Sequence, residues 1–372
     1  MSAISFARGV PAPECLPIEE LADCARVALE RDGTRILLYG PGGGYGPLRE
    51  WIAQRHGVEP GRVVLTNGSL QGFVFLAEHL VRPGTRVLVE APTYDRPLKI
   101  LARLGAEVVA LPMDDEGLVP DALEAALGDG DAPAFLYTIA TFQNPSGRTM
   151  SEERRRRVVE IARERSLLVL EDDPYGLVRY EGTAPPLLFD LDRAAGGEGE
   201  HVAYASSFSK TIAPGVRVGY FVLPAALASQ IEALAVSTYI SPPFLTQATV
   251  HEFLRRGDFE PNLARVNGLL AARRDAMLEA LERHLPPDAS WTRPEGGYFV
   301  WVDLPSGPDA TKLLPLAEEA GVTFVPGTDF FPGGRGGERS LRLAFSFVSP
   351  DEIGAGVERL AGLLTSPAAT AL

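Results

Sequence analysis

Cysteine, histidine and positive charge are all scarce in this chain of 372 residues, and each scarcity removes a class of function. The two cysteines, Cys15 and Cys24, cannot build a disulfide framework and match no zinc spacing. Five histidines lie scattered at 56, 79, 201, 251 and 284, without the paired spacing of a metal site. Acids outnumber Lys and Arg by 49 to 35, and the formal charge of −14 argues against nucleic acid or an anionic membrane as partner. A local basic site for a small anion is compatible with that total. No uncharged apolar stretch approaches the length that spans a bilayer. The first 17 residues carry Arg8, Glu14 and three prolines, unlike a signal peptide. The expectation is a soluble cytoplasmic protein.

What is present is a strand and helix alternation. Near-continuous apolar runs at 63–65, 87–89, 108–110, 135–137, 167–170 and 202–205 read as strands buried on both faces. Amphipathic segments at 69–81 and 151–165 lie between them, the second opened by Ser151 as an N-cap with acids in its first turn. The fold class expected is α/β: a large domain with a mostly parallel central sheet flanked by helices, and a smaller α/β C-terminal domain. Residues 1–36 form an N-terminal arm and segment packing with the small domain, 37–255 the large domain and 256–372 the small one. In the tail, a helix from Pro261 to about His284 precedes a strand at 298–302, a helix near 310–320, strands at 322–325 and 341–344, and a closing helix from Pro350. Residues 1 to about 20 read as irregular, and the glycine-rich runs at 196–199 and 333–337 as flexible loops. The arginine run 154–157 reads as a solvated helix face.

Ligands of such sheets sit beyond the carboxyl ends of the strands, and several of those ends carry unusual residues here. After 63–65 comes Asn67-Gly68-Ser69-Leu70-Gln71, a helix start whose free N–H groups suit an anion. Pro92-Thr93-Tyr94 can bring a ring onto a planar ligand, and Asn144 before Pro145 is held extended with its amide available. Asp172 ends a buried strand, costly unless a cation pairs with it, and a protonated pyridine nitrogen is such a partner. Ser206-Ser207-Phe208-Ser209-Lys210, with Arg217 seven residues on, puts an amine among hydroxyls, fit for a covalent bond to a carbonyl beside a bound phosphate.

Taken in order, Ser-Leu-Gln, Pro-Thr-Tyr, Asn-Pro-Ser-Gly, Asp-Asp-Pro-Tyr and Ser-Phe-Ser-Lys…Arg give a chain that resembles the class I/II aminotransferases. These are fold-type I enzymes of pyridoxal 5′-phosphate (PLP), and the likeness is greatest to the 2-aminoadipate and kynurenine aminotransferase subgroup. The resemblance implies PLP as cofactor and transfer of an α-amino group between an amino acid and a 2-oxo acid. Lys210 would hold the cofactor as a Schiff base and move the substrate's α-proton. Asp172 would pair with the ring nitrogen, Tyr94 would stack on the ring, and Asn144 and Tyr175 would bond its hydroxyl. Ser69, Gln71, Ser207 and Arg217 would hold the phosphate, with Leu70 and Ser209 also at the cofactor. Arg342 would clamp the substrate carboxylate, a bidentate task that suits arginine. A homodimer with shared active sites is implied, Tyr39 reaching the partner's cofactor.

Two departures bear on substrate. Ala140 stands where the family usually has proline, and the N-terminal segment, which usually opens with paired glycines, reads Phe6-Ala7-Arg8-Gly9-Val10-Pro11, which makes Arg8 a candidate for a distal anionic group. Other chemistry of the substrate carbanion on this fold, namely β- or γ-replacement, cyclisation or oxidation, is the alternative function. No helix-turn-helix extension is read, which sets the related transcription regulators aside. A dinucleotide reading of Gly42-Gly43-Gly44-Tyr45-Gly46 fails because the third required glycine falls on Pro47, and the run reads instead as a flexible segment beside Tyr39. Ser69 lacks the flanking glycines of a hydrolase nucleophile.

Overall fold

The structure, a computed structural model, describes residues 3–128, 130–196, 199–304 and 306–367; part of the glycine run at 196–199 lies outside the described residues. The chain opens with the short strand β1 (Ile4–Ser5). The strands that follow are β2 (Val63–Thr66), β3 (Arg86–Ala91), β4 (Glu107–Asp114), β5 (Gly117–Leu118), β6 (Leu136–Thr138), β7 (Val169–Asp172), β8 (Val202–Ser207) and β9 (Gly219–Val222). These eight form one sheet in the order β2-β9-β8-β7-β6-β3-β4-β5. Pairings β8-β7, β7-β6, β6-β3 and β3-β4 are parallel, while β9 runs against both neighbours and β5 against β4. β2, β6, β7 and β9 are buried along their whole length, as apolar runs without polar alternation require. β9 is a strand the sequence reading did not place. Its reversal leaves β2, β3, β6, β7 and β8 all ending on one edge, where Thr66 and Ser207 both face Gly219.

A second sheet joins β10 (Ser290–Trp291), β11 (Phe299–Asp303), β13 (Val325–Pro326) and β14 (Ser340–Ala344) in antiparallel order β10-β11-β14-β13. Helices Phe259–His284, Ala310–Glu319 and Pro350–Leu364 share its core through Met277, Leu281, Leu313, Val357 and Leu360. The strand expected at 322–325 is two pieces instead. β12 (Val322–Thr323) pairs with β1, and β13 with β14, the break falling at the buried Phe324. Ile4 and Phe6 enter this same core, so the chain's start is packed with its last third.

Three sequence expectations need correction. Residues near 20 are not irregular, because helix Ile18–Ile36 starts there and packs on helix Phe244–Arg255. The glycines at 42–44 are not flexible: Leu65 N–H donates to Gly43 O at 2.9 Å, and a Cβ on Gly44, at φ +104°, would meet Leu65 at 2.6 Å. The run 333–337 is likewise closed onto Phe331 at its end, where a Cβ on Gly336 would come within 2.6 Å of the ring.

The arginine run is not one solvated face. Arg155 has no exposed surface and spreads its guanidinium over Ala140 O (2.6 Å), Thr141 Oγ1 (2.8 Å) and Met150 O (2.9 Å), with Glu171 at 3.5 Å. A helix begun at Ser151 carries position 155 inward, toward carbonyls that would otherwise lack donors. Removing one partner of a buried ion pair costs about 3–5 kcal/mol. Arg155→Ala should therefore lower the urea midpoint strongly, whereas the exposed Arg156→Ala should change stability by less than about 0.5 kcal/mol. Equal midpoints for the two variants would remove Arg155 as an anchor.

Candidate active site

A cavity of about 400 Å³ opens at the edge where the strands end, lined from both sheets. Eleven of the residues singled out from the sequence line it: Ser69, Leu70, Tyr94, Asn144, Asp172, Tyr175, Ser207, Ser209, Lys210, Arg217 and Arg342. Three do not. Gln71 turns back so that its Oε1 accepts from Asn67 N–H at 2.8 Å, bracing the turn. Arg8 lies over the Phe347 ring at 4.5 Å, on the outside, and Tyr39 is 80% exposed.

Asp95 and Arg96 pair with each other at the cavity wall, but among the described residues Asp172, Lys210, Arg217 and Arg342 have no counter-ion within 4 Å. Asp172 is buried, its Oδ2 accepting from Tyr137 Oη–H at 2.8 Å while Oδ1 has no partner. Burial pushes its carboxyl pKa up to about 7. Lys210 is one of three lysines in the chain, and the other two, Lys99 and Lys312, are exposed on helices. Its Nζ donates to Gly9 O at 2.9 Å, and burial, helped by Arg342 and Arg217, pulls its ammonium pKa down to about 8. Arg342 lies between the rings of Phe299 (4.4 Å) and Phe330 (4.9 Å). It donates to Asn144 Oδ1 (3.0 Å) and Ala7 O (2.9 Å), and its buried Nε has no partner. Among the described residues no carboxylate comes within 4 Å of Lys210, Arg217 or Arg342.

The loops that carry these groups are braced from behind. Gln143 donates to Glu90 Oε2 (3.2 Å) and Pro92 O (2.7 Å), and accepts from Ser146 N–H (2.9 Å) and Oγ–H (2.7 Å). One buried amide thus fixes the Asn144 loop against the turn that presents Tyr94. At the other end Arg217, in left-handed backbone at φ 51°, donates to Asn67 O at 2.6 Å over the start of helix Ser69–Leu80. Gly68 permits that approach, since a Cβ there would stand 2.5 Å from the Arg217 guanidinium. A helix N-terminus, an arginine and the Ser207–Ser209 hydroxyl pair, 2.9 Å apart, together make an anion cradle.

The family model described as aminotransferase class I and II matches residues 14–360. The chain belongs to the class I and II aminotransferases. It is 40% identical to the 2-aminoadipate transaminase of Thermus thermophilus over 96% of this chain and 89% of that one. It is 36% identical to aromatic-amino-acid aminotransferase 1 of Thermococcus litoralis over 96% and 87%. Among solved structures, the α-aminoadipate aminotransferase of Thermus thermophilus complexed with N-(5′-phosphopyridoxyl)-L-leucine superimposes with a TM-score of 0.92 at 39% identity, covering 97% of this chain and 92% of that one. This protein is thus a PLP-dependent aminotransferase; these relatives do not favour replacement, cyclisation or oxidation as its reaction. The residues fit the cofactor: a phosphate suits the cradle at Ser69, and a ring N–H suits the unpaired oxygen of Asp172.

Sequence reasoning missed Tyr137, Gly9, Phe299 and Phe330. Each was readable only as core or loop, because what matters is a neighbour far away in sequence. Asp172 yields a test in the cofactor-free protein. Its folded pKa, about 7, lies above the ordinary carboxyl value, so between about pH 4 and 7 the folded state binds more protons than the unfolded state. Stability due to this group therefore falls as pH rises through that window. Asp172→Asn should remove the fall, and its gain over wild type should grow by about 3 kcal/mol from pH 5 to pH 8. Thermal melts at the two pH values measure it, and a pH-independent difference would contradict the assignment.

Proposed function

We propose that Lys210 is the residue that binds PLP covalently and moves the substrate's α-proton. The observation that carries this is the convergence, in one cavity, of Lys210 with two arginines that lack carboxylate partners among the described residues and an aspartate that lacks a cation. Buried charges without partners, as at Asp172 and Arg342, are costly, and a ligand with a phosphate, a carboxylate and a protonated ring nitrogen gives each charged group here a partner.

PLP, when bound, supplies an aldehyde carbon for bonding to an amine and an electron-accepting ring. The protein does the rest. With its pKa near 8, Lys210 is partly neutral at physiological pH, as both a nucleophile and a base require. Asp172 stabilises positive charge on the ring nitrogen, and Asn144 and Tyr175 hold the ring hydroxyl. Ser69, Ser207, Ser209 and Arg217 hold the phosphate, with the N–H group at Leu70 adding the helix start. Arg342 takes the substrate carboxylate, its plane already set by Asn144 and the two phenylalanine rings. Tyr94 covers the ring.

The functional unit in this reading is a homodimer with Tyr39 reaching the partner's site. Exposed Leu37, Leu38, Tyr39, Val236 and Ile240 support it, since Gly42 packs on Val236 and joins the two segments into one apolar surface. Two further assignments belong to this reading: a cytoplasmic location, and a division into units near residue 255 with the cavity between them. The relatives named for 2-aminoadipate and aromatic amino acids make both substrate types the first to assay.

One amino acid supplied without an oxo acid should yield one equivalent of the matching 2-oxo acid, and a second oxo acid should restore the starting cofactor spectrum. Release of a leaving group instead would sink the reading. Lys210→Ala should fold yet lose the absorbance of covalently held cofactor. Arg342→Ala should raise KM for every amino acid roughly ten- to a hundredfold, because a charge-assisted contact contributes about 1.5–3 kcal/mol. An unchanged KM would put the carboxylate clamp elsewhere.

A further inference from the structure

Tyr137 has no place in the roles above, yet it makes the one hydrogen bond that Asp172 receives among the described residues. β6 and β7 are parallel neighbours in which Tyr137 stands opposite Leu170, so its ring lies alongside the strand that ends at Asp172. The ring is 1% exposed and held edge-on by Phe73 at 5.3 Å, which leaves the hydroxyl one direction to point. That hydroxyl occupies Oδ2 and leaves Oδ1 as the oxygen without a partner. Phenol groups of Tyr94 and Tyr175 and the carboxyl of Asp173 are the other titratable groups that interact with Asp172, and none of them supplies it a hydrogen bond.

We propose that Tyr137 is a positioning residue that keeps Asp172 anionic and turned toward the cofactor's ring nitrogen, and so keeps that nitrogen protonated. The inference rests on Asp172 holding the ring nitrogen, as proposed above. The physical reason is a competition for one proton between the nitrogen and Oδ1. A donor on Oδ2 stabilises the carboxylate and not the neutral acid, so the proton stays on nitrogen. Without the donor, the proton shifts toward Oδ1, and both partners become neutral. The ring then withdraws electrons less well, while its contacts with substrate are unchanged.

Holoenzyme carrying Tyr137→Phe, reconstituted with cofactor labelled with ¹⁵N in the ring, tests this. The ring-nitrogen chemical shift should move toward the unprotonated value, and kcat should fall roughly ten- to a hundredfold with KM little changed. Reconstitution with a cofactor analogue that has C–H in place of the ring nitrogen separates this role from a structural one. With it, wild type and Tyr137→Phe should be equally slow. A Tyr137→Phe penalty that persists with the analogue, or an unmoved ¹⁵N shift, would overturn the proposal. Asp172→Asn is the control for the underlying reading: normal turnover there defeats that reading, while a slow Asp172→Asn beside a normal Tyr137→Phe defeats this inference alone. Should Tyr137→Phe fail to fold, fluorotyrosine at 137, a stronger donor of nearly the same shape, should move the ¹⁵N shift the opposite way, and no movement would count against the proposal.

Discussion

The open edge of the large sheet is organised around charge without a counter-ion. Lys210, Arg217, Arg342 and Asp172 converge there, the last two buried, and among the described residues their partners are neutral: backbone carbonyls, an amide and a phenol. Such an arrangement is unfavourable in isolation and becomes favourable when a ligand completes it. The cost is visible in the titration behaviour, where the carboxyl of Asp172 is pushed up to about 7 and the ammonium of Lys210 down to about 8. The Lys210 shift also suits the chemistry, because a general base works best when it titrates near the working pH.

Holding unpaired charges apart requires stiff surroundings. The loops that follow β3 and β6 are irregular, yet buried polar cross-links fix them. Gln143 ties both loops to Glu90, and Arg155 ties the second to β7 through Ala140 O and Glu171. Phe142, between them, adopts φ 48°, unusual for a bulky residue, and its ring lies under the Arg179 guanidinium at 4.5 Å. Ala140 is thus held by bonds from Arg155 and Met150 to its carbonyl. Rigid elements and braced loops together give the preorganisation that a charge-stabilising site needs.

Cavity-facing residues at strand ends were legible because each follows a run of buried apolar residues, and both the run and its end are local features. Lys210, Asp172 and Asn144 stand out in that way, and all three line the cavity. Arg155 was misread for the same reason in reverse. A run of four arginines looks like a charged face, and nothing local says that position 155 points at the carbonyls of another loop.

The amino-acid sequence by itself determined the α/β character, the strand ends that bear the chemistry, and the cofactor those residues suit, since burial pattern and residue type are local properties. Tertiary structure alone decided which groups touch. It reversed β9 beside β2 and β8, broke the 322–325 segment between two sheets, brought the backbone of Ala7 and Gly9 onto Arg342 and Lys210, and put Tyr137 against Asp172. Those contacts join residues tens to hundreds of positions apart, and register and packing set them, so no window of the sequence contains them.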